Sequence, residues 1–217
     1  MKWTALWFTI VMMGSLGGID QPAWAGVVIT GTRLVYPEGK NEISVKLNNN
    51  GKHPALVQVW VDEGNRDVGP ADTKAPFVLS PPVFRIEPDK GQTVRIISTG
   101  AEWPKGKESI FWFNLLEVPP QVGSEQGTSH LQMAFRTRIK LFFRPLSLSV
   151  GAHTAAEQLE WNVVNRGNDA VLNALNPTGY YITLMTVNVV GGQKRFGEFS
   201  GMIGPGETAS FVLPGET

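Results

Sequence analysis

LQMAFRTRIKLFFRP, residues Leu131 to Pro145, is the stretch whose reading decides the fold. Leu131, Met133, Phe135, Thr137, Ile139, Leu141 and Phe143 alternate with Gln132, Ala134, Arg136, Arg138, Lys140, Phe142 and Arg144. Successive side chains of a strand point to opposite faces. The stretch therefore reads as one long β-strand with a largely apolar face and a face carrying four cations. A long apolar strand at a sheet edge offers unpaired N–H and C=O groups to any other chain. It is either central and covered by its own fold, or open for another chain to use.

Working outward, the flanking sequence is a succession of short strands separated by turn signals. Val27 to Tyr36 reads as one extended run, and Pro37 to Lys40 as a turn. Glu42 to Asn48 alternates with Ile43, Val45 and Leu47 inward, and Ala55 to Asp62 puts Leu56 and Trp60 on one face. Phe77 to Leu79, Val83 to Ile86, Gln92 to Ser98 and Ser109 to Val118 follow, the last closed by Pro119-Pro120. This is the pattern of an antiparallel β-sandwich. Pro145 to Gly151 reads as a hinge. A second set of strands follows, clearest at Leu159 to Asn165, Ala170 to Asn173, Tyr180 to Val190 and Ala209 to Leu213, with Gly201 to Gly206 read as a loop. No amphipathic helix is expected after residue 26.

The N-terminus has the form of a secretory signal. Lys2 precedes an uncharged, mostly apolar run from Trp3 to Ile19, and Ala23-Trp24-Ala25 fits a small-x-small cleavage pattern. Residues 1–25 are thus assigned to a signal peptide, with the mature chain expected to begin at Gly26. The alternative, an uncleaved anchor, would need roughly 20 residues to span a bilayer. The 217 residues contain no Cys, so an exported chain would draw its stability from core burial alone. With 19 Lys+Arg against 19 Asp+Glu, no global field draws it to nucleic acid or to an anionic membrane.

Several stretches taken in order resemble the periplasmic pilus-assembly chaperones, the PapD-like family. Trp103 to Pro120 (WPKGKESIFWFNLLEVPP) is similar to the family signature at Lys107, Glu108, Ser109, Trp112, Asn114, Leu115, Val118 and Pro119, with Gly106 a departure. Ile139 to Pro145 (IKLFFRP) is similar to its I-K-L-F-Y-R-P. Gly31 to Tyr36 (GTRLVY) resembles its first strand. Pro81 to Pro88, Val94 to Ile96, Asn176 to Thr178 and Tyr180 to Thr183 add support, so the resemblance covers nearly all of residues 27–213.

The resemblance implies an all-β protein of two Ig-like antiparallel sandwiches set at an angle, with a cleft between them. The domains would span residues 26–146 and 152–217. It implies a periplasmic chaperone that lends a strand to incomplete pilus subunits and delivers them to an outer-membrane usher. Leu131, Met133 and Phe135 would be the lent apolar face, unless they pack in the protein's own core. Arg33 and Lys140 would hold the subunit's C-terminal carboxylate, and Glu108 and Arg144 would form an ion pair supporting the interdomain angle. The short, Cys-free loop from Gln121 to His130 is similar to the short-loop branch of the family. The family's C-terminal Asn-Asp-Tyr-Gly segment has no counterpart before Thr217, so the second domain is expected to lack its final strands. Self-capping into a homodimer stays open.

Other classes fit less well. His53, His130 and His153 lack metal-ligand spacing, and no nucleophile or phosphate-binding motif occurs, so no enzyme, metal, cofactor or small-molecule substrate is expected. A secreted Ig-like structural or adhesin subunit is the alternative. Such subunits are smaller single domains that need a strand from elsewhere, whereas this chain carries its own.

Overall fold

The computed structural model describes residues 26–120, 133–148, 151–167, 169–191 and 194–213. The first part is a sandwich of two sheets. One contains β1 (Val27–Ile29), β3 (Glu42–Asn49), β7 (Gly91–Ser98) and β5 (Phe77–Ser80), in that spatial order. The other contains β2 (Arg33–Pro37), β9 (Phe135–Arg144), β8 (Ser109–Val118), β4 (Ala55–Asp62) and β6 (Val83–Ile86), again in spatial order. The inward positions follow from alternation. Val45 and Leu47 of β3 and Val94 and Ile96 of β7 meet Val57, Val59 and Val61 of β4, Phe113 and Leu115 of β8, and Leu141 and Phe143 of β9, all buried. Inter-sheet side-chain packing of this kind makes a sandwich core.

The run from Val27 to Tyr36 is not one strand. It breaks after Ile29, and the chain crosses from the first sheet to the second. Gly31 stands at the crossing with φ 108°, a conformation in which a side chain would be strained. The switch has a consequence that alternation alone cannot foresee. β2 lies against β9 in parallel, whereas the other strand pairs of this sandwich are antiparallel, and the register places Arg33 beside Lys140.

Two short 3₁₀ turns, Leu146–Leu148 and Ala155–Gln158, lead into the second part. There β10 (Glu160–Arg166), β11 (Asp169–Leu175) and β14 (Thr208–Leu213) form one sheet, and β12 (Ile182–Gly191) and β13 (Lys194–Ile203) a second. Ala155, Leu159, Ala174, Tyr180, Ile182 and Ile203 form its small core. Gly201 to Gly206 was expected to be a loop, but Gly201, Met202 and Ile203 end β13 and only the following residues turn. Gly197 and Gly201 interrupt the apolar alternation of that strand, and glycine is a poor strand signal. Asn176 organises the turn. It is fully buried, donates to the carbonyls of Tyr180, Ile203 and Gly204, and accepts from Thr178. Trp161 and Val163 of the edge strand β10 remain exposed although they share a face with the buried Leu172 and Ala174.

Tyr36 ties both sheets of the first sandwich together. Its ring is buried against Phe77 and Phe143, and its hydroxyl donates to the carbonyls of Lys40 and Asn41 while accepting from the Ser98 amide at 3.1 Å. Replacing Tyr36 by Phe leaves these groups without their partner. We expect denaturant unfolding to show a loss of about 1 kcal/mol, the usual net worth of hydrogen bonds to partly exposed backbone groups.

Candidate functional site

The two halves of β9 have different neighbours. β8 pairs with it from Phe135 to Phe143, but β2 covers only Lys140 to Arg144. Among the described residues, the second edge of 135–139 is therefore unpaired. The apolar face divides a little earlier, between Phe135 and Ile139. Leu141 and Phe143 lie in the sandwich core, and Ile139 packs against it. Phe135 is 57% exposed and Met133, just before the strand, 52%. One end of the strand is thus covered by its own fold, and the other is exposed among the described residues. Leu131 and the loop 121–130 lie outside the described residues, and the described strand starts at Phe135 rather than at residue 131.

At the boundary between the halves stand two cations. Arg33 is exposed and pairs in register with the half-buried Lys140. Among the described residues neither makes an ion pair; the Lys140 Nζ donates to the Thr183 Oγ1 at 3.0 Å. Burial, and secondly the Arg33 charge, pull the Lys140 ammonium below its ordinary range. Like charges on neighbouring strands repel. An anion between them would relieve both effects.

The face of β9 opposite to the apolar one was expected to be a row of cations. It divides into two stretches with separate contacts. Lys140, Phe142 and Arg144 meet the second domain. Phe142 is buried and its ring lies 5.7 Å from that of Tyr181. The Arg144 Nε donates to the Glu108 Oε1 at 2.7 Å, and the guanidinium sits over the Tyr180 ring. The other oxygen of Glu108 accepts from the Tyr181 amide at 2.9 Å, and the Glu108 amide donates to the Gly179 carbonyl. A Cβ on Gly179 would collide with the Gly106 carbonyl oxygen, so this close approach requires glycine. Arg136 and Arg138 turn instead to Asp62, the last residue of β4, which the alternation pattern does not single out. Burial alone would raise the Asp62 carboxyl. Hydrogen bonds from Arg138, Asn114 and Gly64, with the Arg138 charge, outweigh it and hold the carboxyl below the ordinary range. An acidic residue ending a strand as apolar as ALVQVWVD is the one signal that could have flagged it.

Comparison with known proteins places this geometry. Residues 26–149 match the family model for the N-terminal domain of the PapD pili and flagellar-assembly chaperones, and residues 154–217 match the model for the PapD C-terminal domain. The chaperone protein FimB/FhaD of Bordetella pertussis is 44% identical over 180 residues, covering 80% of this chain and 72% of that protein. The solved structure of the Pseudomonas aeruginosa CupB2 chaperone superposes with a TM-score of 0.73 at 35% identity, covering 85% of this chain and 86% of the other. A structure of the Salmonella enterica SafA pilin in complex with the SafB chaperone is similar with a TM-score of 0.70 at 28% identity, covering 88% and 85%. The chain belongs to the PapD-like family of pilus-assembly chaperones.

The Glu108–Arg144 pair joins β8 and β9 to the backbone of the second domain, so its loss should be felt in both. Glu108→Gln leaves a largely buried guanidinium without its anion. The expected result is a loss of about 3 kcal/mol in chemical unfolding, near the low end for such pairs because Arg144 keeps some solvent contact. Small-angle scattering should also show a wider spread of interdomain arrangements than in the wild type.

Proposed function

We propose that this protein works in the periplasm as a fimbrial chaperone that lends the open half of β9 to an incomplete subunit and passes that subunit to an outer-membrane usher. The observation that carries the reading is the division of one strand: among the described residues its second backbone edge is unpaired over 135–139, and the apolar side chains at and just before the start of that stretch, Phe135 and Met133, are exposed. An added strand would satisfy the free N–H and C=O groups, and pockets in the guest would receive alternate side chains. Met133 and Phe135 are the described members of the lent face, and Leu131 extends it by periodicity. Burying each is worth ~1.5–3 kcal/mol before association and ordering costs are subtracted.

Arg33 and Lys140 are assigned the guest's C-terminal carboxylate. Charge-assisted hydrogen bonds from both would relieve the repulsion between them. Lys140 is five residues from Phe135, about 17 Å along an extended strand. Anchoring the guest there sets register, since a slip of one residue would turn the wrong side chains inward. Glu108 and Arg144 act differently. They hold the second domain against β9 and so fix the wall beside the anchor.

Co-expression with a fimbrial subunit in the periplasm tests this. The wild type should yield a soluble one-to-one complex resistant to protease. Lys140→Ala and Arg33→Ala should remain folded yet lose subunit recovery, as expected when a charged partner worth ~2–5 kcal/mol is truncated. Protection equal to wild type by both variants would sink the anchoring role.

A dependence on pH follows from the lowered Lys140 ammonium. Its positive form is less favoured in the free protein, and a bound carboxylate favours it again. Capture of a peptide with a free C-terminus should be strongest at neutral pH and fade as pH rises through the lowered value, before the ordinary 10.5 is reached. A C-terminally amidated peptide, titrated in parallel, should lack that loss.

A further inference from the structure

The open half of β9 is fastened from its outer face. Asp62 is fully buried. Its Oδ2 accepts from the Asn114 Nδ2 at 2.7 Å and from the Arg138 Nε at 3.1 Å; its Oδ1 accepts from a terminal nitrogen of Arg138 and from the Gly64 amide at 2.7 Å. Arg136 is held more loosely, a terminal nitrogen 3.6 Å from the Asp62 Oδ2. Its Nε and one terminal nitrogen donate to the Asn114 Oδ1 at 3.1 and 2.9 Å, and the other donates to the Arg66 carbonyl at 2.5 Å. Each guanidinium also covers an indole, Arg138 over Trp112 at 4.3 Å and Arg136 over Trp60 at 4.7 Å. Cation–π contact adds to the charge pairing.

Arg136 and Arg138 are the outer-face residues of the same 135–139 segment whose second backbone edge is unpaired among the described residues. A segment held on one edge opens locally at low cost. Here both of its outer-face side chains reach across β8, and one ends on a buried carboxylate of β4. Opening the segment would strip Asp62 of its cations, which is costly for a buried charge. The clamp stops where the second domain takes over, at Lys140. The two outer-face contacts therefore divide β9 where its pairing with β2 begins.

We propose that Asp62 is a positioning residue for strand lending: through Arg138 directly, and through Asn114 to Arg136, it holds residues 135–139 extended so that a guest meets a preformed edge. Preformation favours binding because the ordering cost is met before the guest arrives. The inference rests on the reading of β9 as the lent strand. Asp62 touches no guest itself; it sits on the far face of the sheet and acts through the two arginines.

The test uses two single variants and one double variant. Asp62→Asn keeps the shape and removes the charge. Arg136→Ala, at a side chain 30% exposed, removes the Asn114 and Arg66 contacts and the 3.6 Å approach to Asp62, and leaves that carboxylate its hydrogen bonds from Arg138. The double variant Asp62→Asn/Arg138→Gln asks whether the carboxylate acts through Arg138. Two quantities are measured on the full chain. One is amide hydrogen exchange in 135–139, with 140–144 as internal control. The other is the dissociation rate of a synthetic ten-residue peptide that alternates Val with Thr and ends in a free carboxylate.

The expected result for both single variants is exchange in 135–139 faster by about tenfold, unchanged exchange in 140–144, and peptide dissociation faster by a similar factor. The double variant should be no worse than Asp62→Asn. A merely structural Asp62 would instead raise exchange across both segments together, and that outcome overturns the proposal. So does faster exchange in 135–139 with wild-type peptide dissociation. Phe135→Ser separates this failure from that of the underlying reading. If that exposed residue can be replaced without any change in peptide dissociation, β9 is not the lent strand, and both proposals fall.

Discussion

The parallel pairing of β2 with one half of β9 is the constraint on which the rest depends. Because β2 is only five residues long, its hydrogen bonds end at Lys140 and leave the preceding residues of β9 with an edge that no described strand pairs. Had the chain continued straight from β1, residues 33–37 would have stayed in the opposite sheet and the edge of β9 away from β8 would have lacked β2 altogether. The break at Gly31 moves the chain across and covers part of the strand. Covering part and not all is what makes an edge usable and still safe: a long bare apolar edge invites uncontrolled pairing.

The same pairing places charge where the bare edge begins. Parallel register sets Arg33 beside Lys140, 107 positions away in sequence. Two cations without a described counter-ion are an unfavourable arrangement, and burial makes it worse for Lys140. The fold maintains it because both sit on strands fixed by core residues, Leu34 and Tyr36 on one side, Leu141 and Phe143 on the other. Electrostatic strain built on a rigid scaffold is a common device of binding sites. Next to it, Glu108 pairs with the remaining cation of that end of β9, Arg144, and with the Tyr181 amide of the second domain.

Much of this was legible in the sequence. The strands of the first sandwich follow from period-two alternation, and the motifs around Glu108–Pro120, Ile139–Pro145 and Gly31–Tyr36 pointed to the family. The misses have physical causes. Val27 to Tyr36 is uniformly extended in composition, so a change of sheet leaves no mark except a glycine. β13 hides behind Gly197 and Gly201. Asp62 gives no periodic signal, because a single buried carboxylate matters only through partners 52 and 76 positions away. Phe142 interrupts the cationic row, and its packing against Tyr181, 39 positions away, leaves no mark in the alternation.

By itself, then, the sequence determined which residues alternate, where strands end, and that one strand carries opposite chemistry on its two faces. These are local properties, set by side-chain direction along an extended backbone. Only the tertiary structure decided where along that strand its own core stops and its open edge starts, and which outer-face arginines serve Asp62 rather than the second domain. Those decisions depend on how far a neighbouring strand reaches and what lies across the sheet. Both are set by contacts between residues distant in sequence, which no window along the chain contains.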